Sequence, residues 1–138
     1  MSDHQSVIMS MDQKSVSELK ELLGEAEIQV SKAPQTGLLM MVARDPFATD
    51  FCLGEILVTE AETEYRGQRG YALVLGEEPE KAMLTAAVAA IFQSDNDALK
   101  TEIGQFLAPM AFRLKESATW ERRLLSKTQV NFETMVKG

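Results

Sequence analysis

Apolar residues first fall at helical spacing in Val16, Leu19, Leu22 and Leu23, with Ser15 and Ser17 able to cap the segment and Gly24 where a helix ends. The start, Met1 to Met11, is polar with scattered methionines, and residues 1–12 are expected to be flexible. Ile28-Gln29-Val30 alternates as a short strand does. A turn over Pro34–Gly37 leads into Leu38-Leu39-Met40-Met41-Val42, an unbroken apolar run that predicts a strand buried on both faces. Asp45 and Pro46 break the run. The next strand extends from Phe51 to about Tyr65, with Gly54 a candidate bulge. Its first half carries Leu53, Ile56 and Val58. Its second half sets Glu60, Glu62 and Glu64 on one face, because strand side chains alternate with a period of two. Arg66–Gly70 reads as a hairpin turn, and Tyr71–Leu75 as the returning strand, closed by Gly76.

Helices follow. Pro79 suits a first helical turn, and Glu77, Glu78 and Glu80 complement its positive end. Met83, Ala86, Ala87, Ala90 and Ile91 recur at helical spacing, and so many alanines allow close approach to a sheet or another helix. Asp95, Asn96 and Asp97 are capping residues for a helix bearing Leu99, Ile103, Phe106 and Leu107, which Pro109 ends or kinks. A last helix is expected from Met110 to about Ser126, with Leu114, Ala118 and Leu125 inward and Arg113, Lys115, Arg122 and Arg123 outward. The order predicts an α+β fold, a small antiparallel β-sheet packed against several helices, in one domain over residues 1–138.

Charge adds a polarity to this picture. The net charge is −7, which argues against nucleic acid as a partner. Residues 1–112 hold 8 Lys/Arg against 18 Asp/Glu, a net of −10, while residues 113–138 hold 6 against 3, a net of +3. The basic end is followed by a tail, 128–138, with Val130, Phe132 and Met135 apolar. Arg113, Arg122, Arg123, Val130, Phe132 and Met135 are therefore the candidate partner-docking residues. No apolar run reaches the roughly 20 residues of a membrane helix, and the start lacks the pattern of a signal peptide. A single cysteine, Cys52, fits a reducing cytoplasm and is expected to be buried in its strand.

Candidate chemistry is sparse. Glu60, Glu62 and Glu64 could serve acid–base work or a metal, but nothing sets a second ligand type beside them, and a solvated sheet face is the expected reading. The one histidine, His4, lies in the polar start, so neither a zinc site nor a Cys–His or Ser–His pair can be assembled. No glycine-rich phosphate loop precedes a helix. The expectation is a binding or assembly module with no catalytic, cofactor or metal site of its own. Two alternatives stay open: a stand-alone small-molecule- or protein-binding module, and a magnesium-dependent Asp/Glu enzyme acting on a phosphate ester.

Three segments, in order, carry a resemblance: Gln35-Thr36-Gly37-Leu38; Phe51-Cys52-Leu53-Gly54-Glu55-Ile56-Leu57-Val58-Thr59 with Gly70-Tyr71-Ala72-Leu73-Val74-Leu75-Gly76; and Val130-Asn131-Phe132-Glu133-Thr134-Met135-Val136-Lys137-Gly138. The chain resembles the PhnG family, subunits of the bacterial carbon–phosphorus lyase system. The resemblance implies that, with PhnH, PhnI and PhnL, the protein supports transfer of the ribose triphosphate of ATP to an alkylphosphonate, with release of adenine. It implies a complex that also contains PhnJ, with PhnI the direct contact, ATP as substrate of the complex, and no cofactor held by this chain alone. Self-association is expected of the isolated chain. The sequence departs from the family pattern at Gln35, where glutamate is usual, and at Glu60, where arginine is. It departs again at Gln129, Asn131 and Glu133, where the pattern is Arg-Val-Asp-Phe-Phe. Losing two arginines removes two anion-binding forks.

Overall fold

In the computed structural model, residues 3–47 and 49–137 are described, with side chains for 4–47 and 49–117. The chain order is α1 (Asp3–Met9), α2 (Gln13–Leu23), β1 (Gln29–Arg44), β2 (Asp50–Tyr65), β3 (Gln68–Leu75), α3 (Pro79–Gln93) and α4 (Asp97–Lys137). The strands form one antiparallel sheet in the order β1-β2-β3, so the α+β expectation holds. Among the described residues no helix is long and apolar enough to cross a membrane.

Helix α3 is the middle layer. It begins with Pro79, whose missing amide costs nothing in a first turn. The buried Thr59 hydroxyl fixes the approach, donating to the Gly76 carbonyl at 2.6 Å and accepting from the Glu78 N–H at 3.1 Å. On one face Ala82 and Ala86 meet Ala61, Ala72 and Val74 of the sheet. The contact is close enough that a Cβ built on Gly70 would lie 1.9 Å from the Ala86 carbonyl oxygen. The opposite face buries Leu84, Val88 and Ile91 against residues of α1, α2 and α4, including Ile8, Leu19 and Ile103. The alanine spacing therefore marks a helix buried on two sides, not one.

The hairpin between β2 and β3 is a two-residue turn, Arg66 and Gly67, both at positive φ (49° and 79°), which matches the twist of the flanking strands. Helix α2 is capped by Asp12, whose carboxylate accepts from the Ser15 N–H at 2.8 Å, so the cap lies earlier than Ser15 or Ser17. Asn96 caps α4, its Oδ1 accepting from the Leu99 N–H at 3.2 Å.

Four local expectations differ from the structure. Residues 1–12, expected to be flexible, contain α1, whose Val7 and Ile8 are buried in the core while the His4 ring lies 4.3 Å from that of Phe92. No turn separates two strands at Pro34–Gly37. One strand runs through, with register breaks between Val30 and Lys32 and between Lys32 and Gln35, where an edge strand tolerates proline. Pro109 neither ends α4 nor divides it, because Ile103, Leu107, Met110 and Leu114 pack on the same core across it. Leu38–Val42 is exposed, with consequences described next.

Candidate docking surface

Strands β1 and β2 are each 16 residues long, whereas β3 has 8 and α3 has 15. At about 3.3 Å per strand residue and about 1.5 Å per helical residue, α3 spans roughly 22 Å of a strand pair roughly 53 Å long. Pairing with β3 stops where Val58 meets Leu75. Beyond that point β1 and β2 continue alone as a ribbon, from Gly37 opposite Val58 to Arg44 opposite Asp50.

The ribbon is apolar on both faces and, among the described residues, covered on neither. Leu38, Leu39, Met40, Met41 and Val42 are 45–62% exposed, and Leu53 and Phe51 on β2 are 60% and 48% exposed. Phe47 at the tip is 88% exposed. The tip itself is ordered by Asp45, whose carboxylate accepts from the Phe47 and Thr49 amides at 2.9 Å, and by an Arg44–Asp50 ion pair. Cys52, expected to be buried, is exposed on this ribbon for the same reason.

The open face of the three-stranded part carries Glu60, Glu62 and Glu64 together, as the alternation requires. They are not a ligand set. Glu60 is bound by the Lys32 ammonium and by the Tyr71 hydroxyl at 2.7 Å, and Glu62 lies 3.7 Å from Arg69. Lys32 first, then Tyr71, holds the Glu60 carboxyl below its ordinary range, and Glu60 in turn raises both partners. Among the described residues no group of three His, Cys, Asp or Glu is placed to hold a metal. An open cleft of about 850 Å³ between α2, the β2–β3 turn and α4 is lined by Glu25, Glu27, Glu64 and Glu102 with Leu22, Tyr65 and Arg66.

Of the docking residues expected from sequence, Arg113 is exposed on α4, beside a smaller cleft of about 310 Å³. The backbone of 122–135 continues α4, and the side chains of Arg122, Arg123, Val130, Phe132 and Met135 lie outside the described residues. Sequence reasoning missed the ribbon as a docking surface. Its signal was the unbroken apolar run itself, in strands twice as long as the third strand and the following helix can cover.

A small α+β protein with a long uncovered apolar ribbon belongs to the class of proteins that expose a surface built for association. The chain is a member of the PhnG family: the family model described as phosphonate metabolism protein PhnG matches residues 2–138. It is also similar to the alpha-D-ribose 1-methylphosphonate 5-triphosphate synthase subunit PhnG of Rhizobium meliloti (strain 1021), 31% identical over 114 residues, covering 81% of this chain and 72% of that relative.

Proposed function

We propose that this protein is an assembly subunit of an alpha-D-ribose 1-methylphosphonate 5-triphosphate synthase in phosphonate metabolism, contributing binding surface and no reacting group. The observation that carries this reading is the ribbon, an apolar surface exposed on both faces in a chain with a net charge of −7. The similarity to a synthase subunit supports the same reading. Its partners are PhnH, PhnI, PhnJ and PhnL, with PhnI in direct contact, and ATP is a substrate of the assembled complex, in the cytoplasm. The basic end of α4, with Arg113, Arg122, Arg123, Val130, Phe132 and Met135, makes a further contact.

Co-expression of the tagged chain with those four subunits, followed by pull-down and mass analysis, tests this. Stoichiometric recovery of PhnI is the expected result. Recovery of the tagged chain alone from soluble partners, or adenine release from ATP by the isolated chain, would overturn it.

A further inference from the structure

The three free edges of the sheet are treated differently. On β3 two of the outward carbonyls are occupied: the Gln5 amide donates to Leu73 O at 2.9 Å, and the Gln93 amide to Arg69 O at 2.7 Å. The stretch of β2 beyond β3, 50–56, is broken by Gly54 at a φ of 147° and carries Asp50 and Glu55. The first half of the β1 edge carries Lys32, Pro34 and two register breaks, the usual devices against strand pairing. The second half, Leu38–Val42, has no charge and no proline.

The direction of its backbone groups follows from one bond. The Gly76 N–H donates to Leu57 O at 2.7 Å, so Leu57 turns its backbone away from β1. Leu38, its cross-strand neighbour, therefore turns its own N–H and C=O to the outer edge, and Met40, two residues on, does the same. Among the described residues no side chain occupies these groups.

We propose that a different polypeptide, another subunit of the same assembly, adds an extended strand to β1 at Leu38–Val42 and closes an apolar cleft over both faces of the ribbon. This rests on the assembly role proposed above. Main-chain bonds to Leu38 and Met40 supply the alignment, and alternate side chains supply the pockets. The exposed area of the nine large apolar side chains from Leu38 to Leu57 is on the order of 900 Å², comparable with the ~800 Å² each partner gives a standard interface. A second copy fits poorly. Edge-to-edge pairing of two ribbons leaves both apolar faces bare.

Residue-resolved hydrogen exchange on the co-purified complex and on the free chain tests the proposal without a mutation. The Leu38 and Met40 amides are expected to slow at least tenfold in the complex, while Leu39 and Met41, which face β2, are slowed in both. A complex in which Leu38 and Met40 exchange as in the free chain overturns this inference and leaves the assembly role standing. Failure of the wild-type chain to capture any subunit overturns both. Cross-links in the complex that join Leu38–Val42 to a second copy of this chain, and not to another subunit, overturn it in favour of a second copy. Met40→Pro removes an outward amide and no bond to β2, and is expected to lower partner recovery at least tenfold. Recovery at wild-type stoichiometry by a folded Met40→Pro chain would count equally against it.

Discussion

Gln35 lies opposite Glu60 across β1 and β2, so this carboxylate has no cation directly across the strand pair. Here position 35 is neutral and position 60 acidic. The charge of Glu60 is met instead by Lys32, earlier on β1, and by the Tyr71 hydroxyl from β3. Position 60 is thereby tied into the pairing of the three strands.

This cluster makes stability depend on pH in a stated direction. The Glu60 carboxyl is held below its ordinary value of 4.5, so its contribution is complete above that value and is lost as pH falls through the lower, folded one. Glu60→Gln keeps the shape and removes the titration. The gap in melting temperature between wild type and Glu60→Gln should therefore be wider near about pH 7 than near about pH 3. The effect is small, because the pair is partly solvated. A gap that does not narrow in acid would show that Glu60 stays protonated or unpaired.

Two buried threonines on the same face of β2 should respond oppositely to valine. Thr59 bridges Gly76 and Glu78, so Thr59→Val strands both groups and should cost roughly 1–3 kcal/mol. The Thr63 hydroxyl is buried with no partner among the described residues, so Thr63→Val should be neutral or stabilising by up to about 1 kcal/mol. Urea denaturation of the two variants decides the point, and equal losses would contradict it.

Gly70 is held by proximity. An added methyl would meet the Ala86 carbonyl oxygen at 1.9 Å and the Ala90 nitrogen at 2.5 Å, both backbone atoms of α3. Gly70→Ala should destabilise at or above the upper end of the roughly 1–3 kcal/mol that overpacking costs. A chemical denaturation midpoint within error of wild type would mean that α3 stands further from the sheet.

Much of this architecture was legible wherever local signals and tertiary packing agree. A hairpin turn within Arg66–Gly70, Pro79 at the head of α3, a cap among Asp95, Asn96 and Asp97 and the alanine face all follow from local rules, although β3 begins at Gln68 and not at Tyr71. Elements whose neighbours decide them were not legible. Val7 and Ile8 are two apolar residues in a polar stretch, too few to show a period, yet both are buried because α1 closes the core beside α3. Pro109 is a strong local break that packing on both sides of it outweighs. The run Leu38–Val42 states that something covers it, and cannot state whether that is the chain's own helix or another molecule. The same gap hid the candidate site, since an assembly surface left open has the composition of a core.

The core assignment of α1 can be tested directly. Ile8 is fully buried, and Ile8→Ala should cost roughly 2–5 kcal/mol, as truncation of a large core residue does. Truncation in a start that frays would cost almost nothing. Thermal or urea unfolding separates the two, and a loss below about 0.5 kcal/mol would return α1 to the surface.

Salt separates the two proposed contacts with the partner. The contact the ribbon offers is mainly apolar: Arg44 is paired with Asp50, and Asp45 and Glu55 leave it a net of −2. The end of the chain, 113–138, carries a net of +3 from 6 Lys/Arg against 3 Asp/Glu. Raising salt from about 0.1 M to about 1 M shortens the screening length from ~10 Å to ~3 Å, which weakens the second contact and leaves the first. Replacing Arg122 and Arg123 together by glutamine should therefore weaken partner capture several-fold at low salt and barely at high salt. Met40→Pro should weaken it to the same degree at both. Capture by the wild type that is lost in high salt would place the main contact at the basic end of α4 and demote the ribbon.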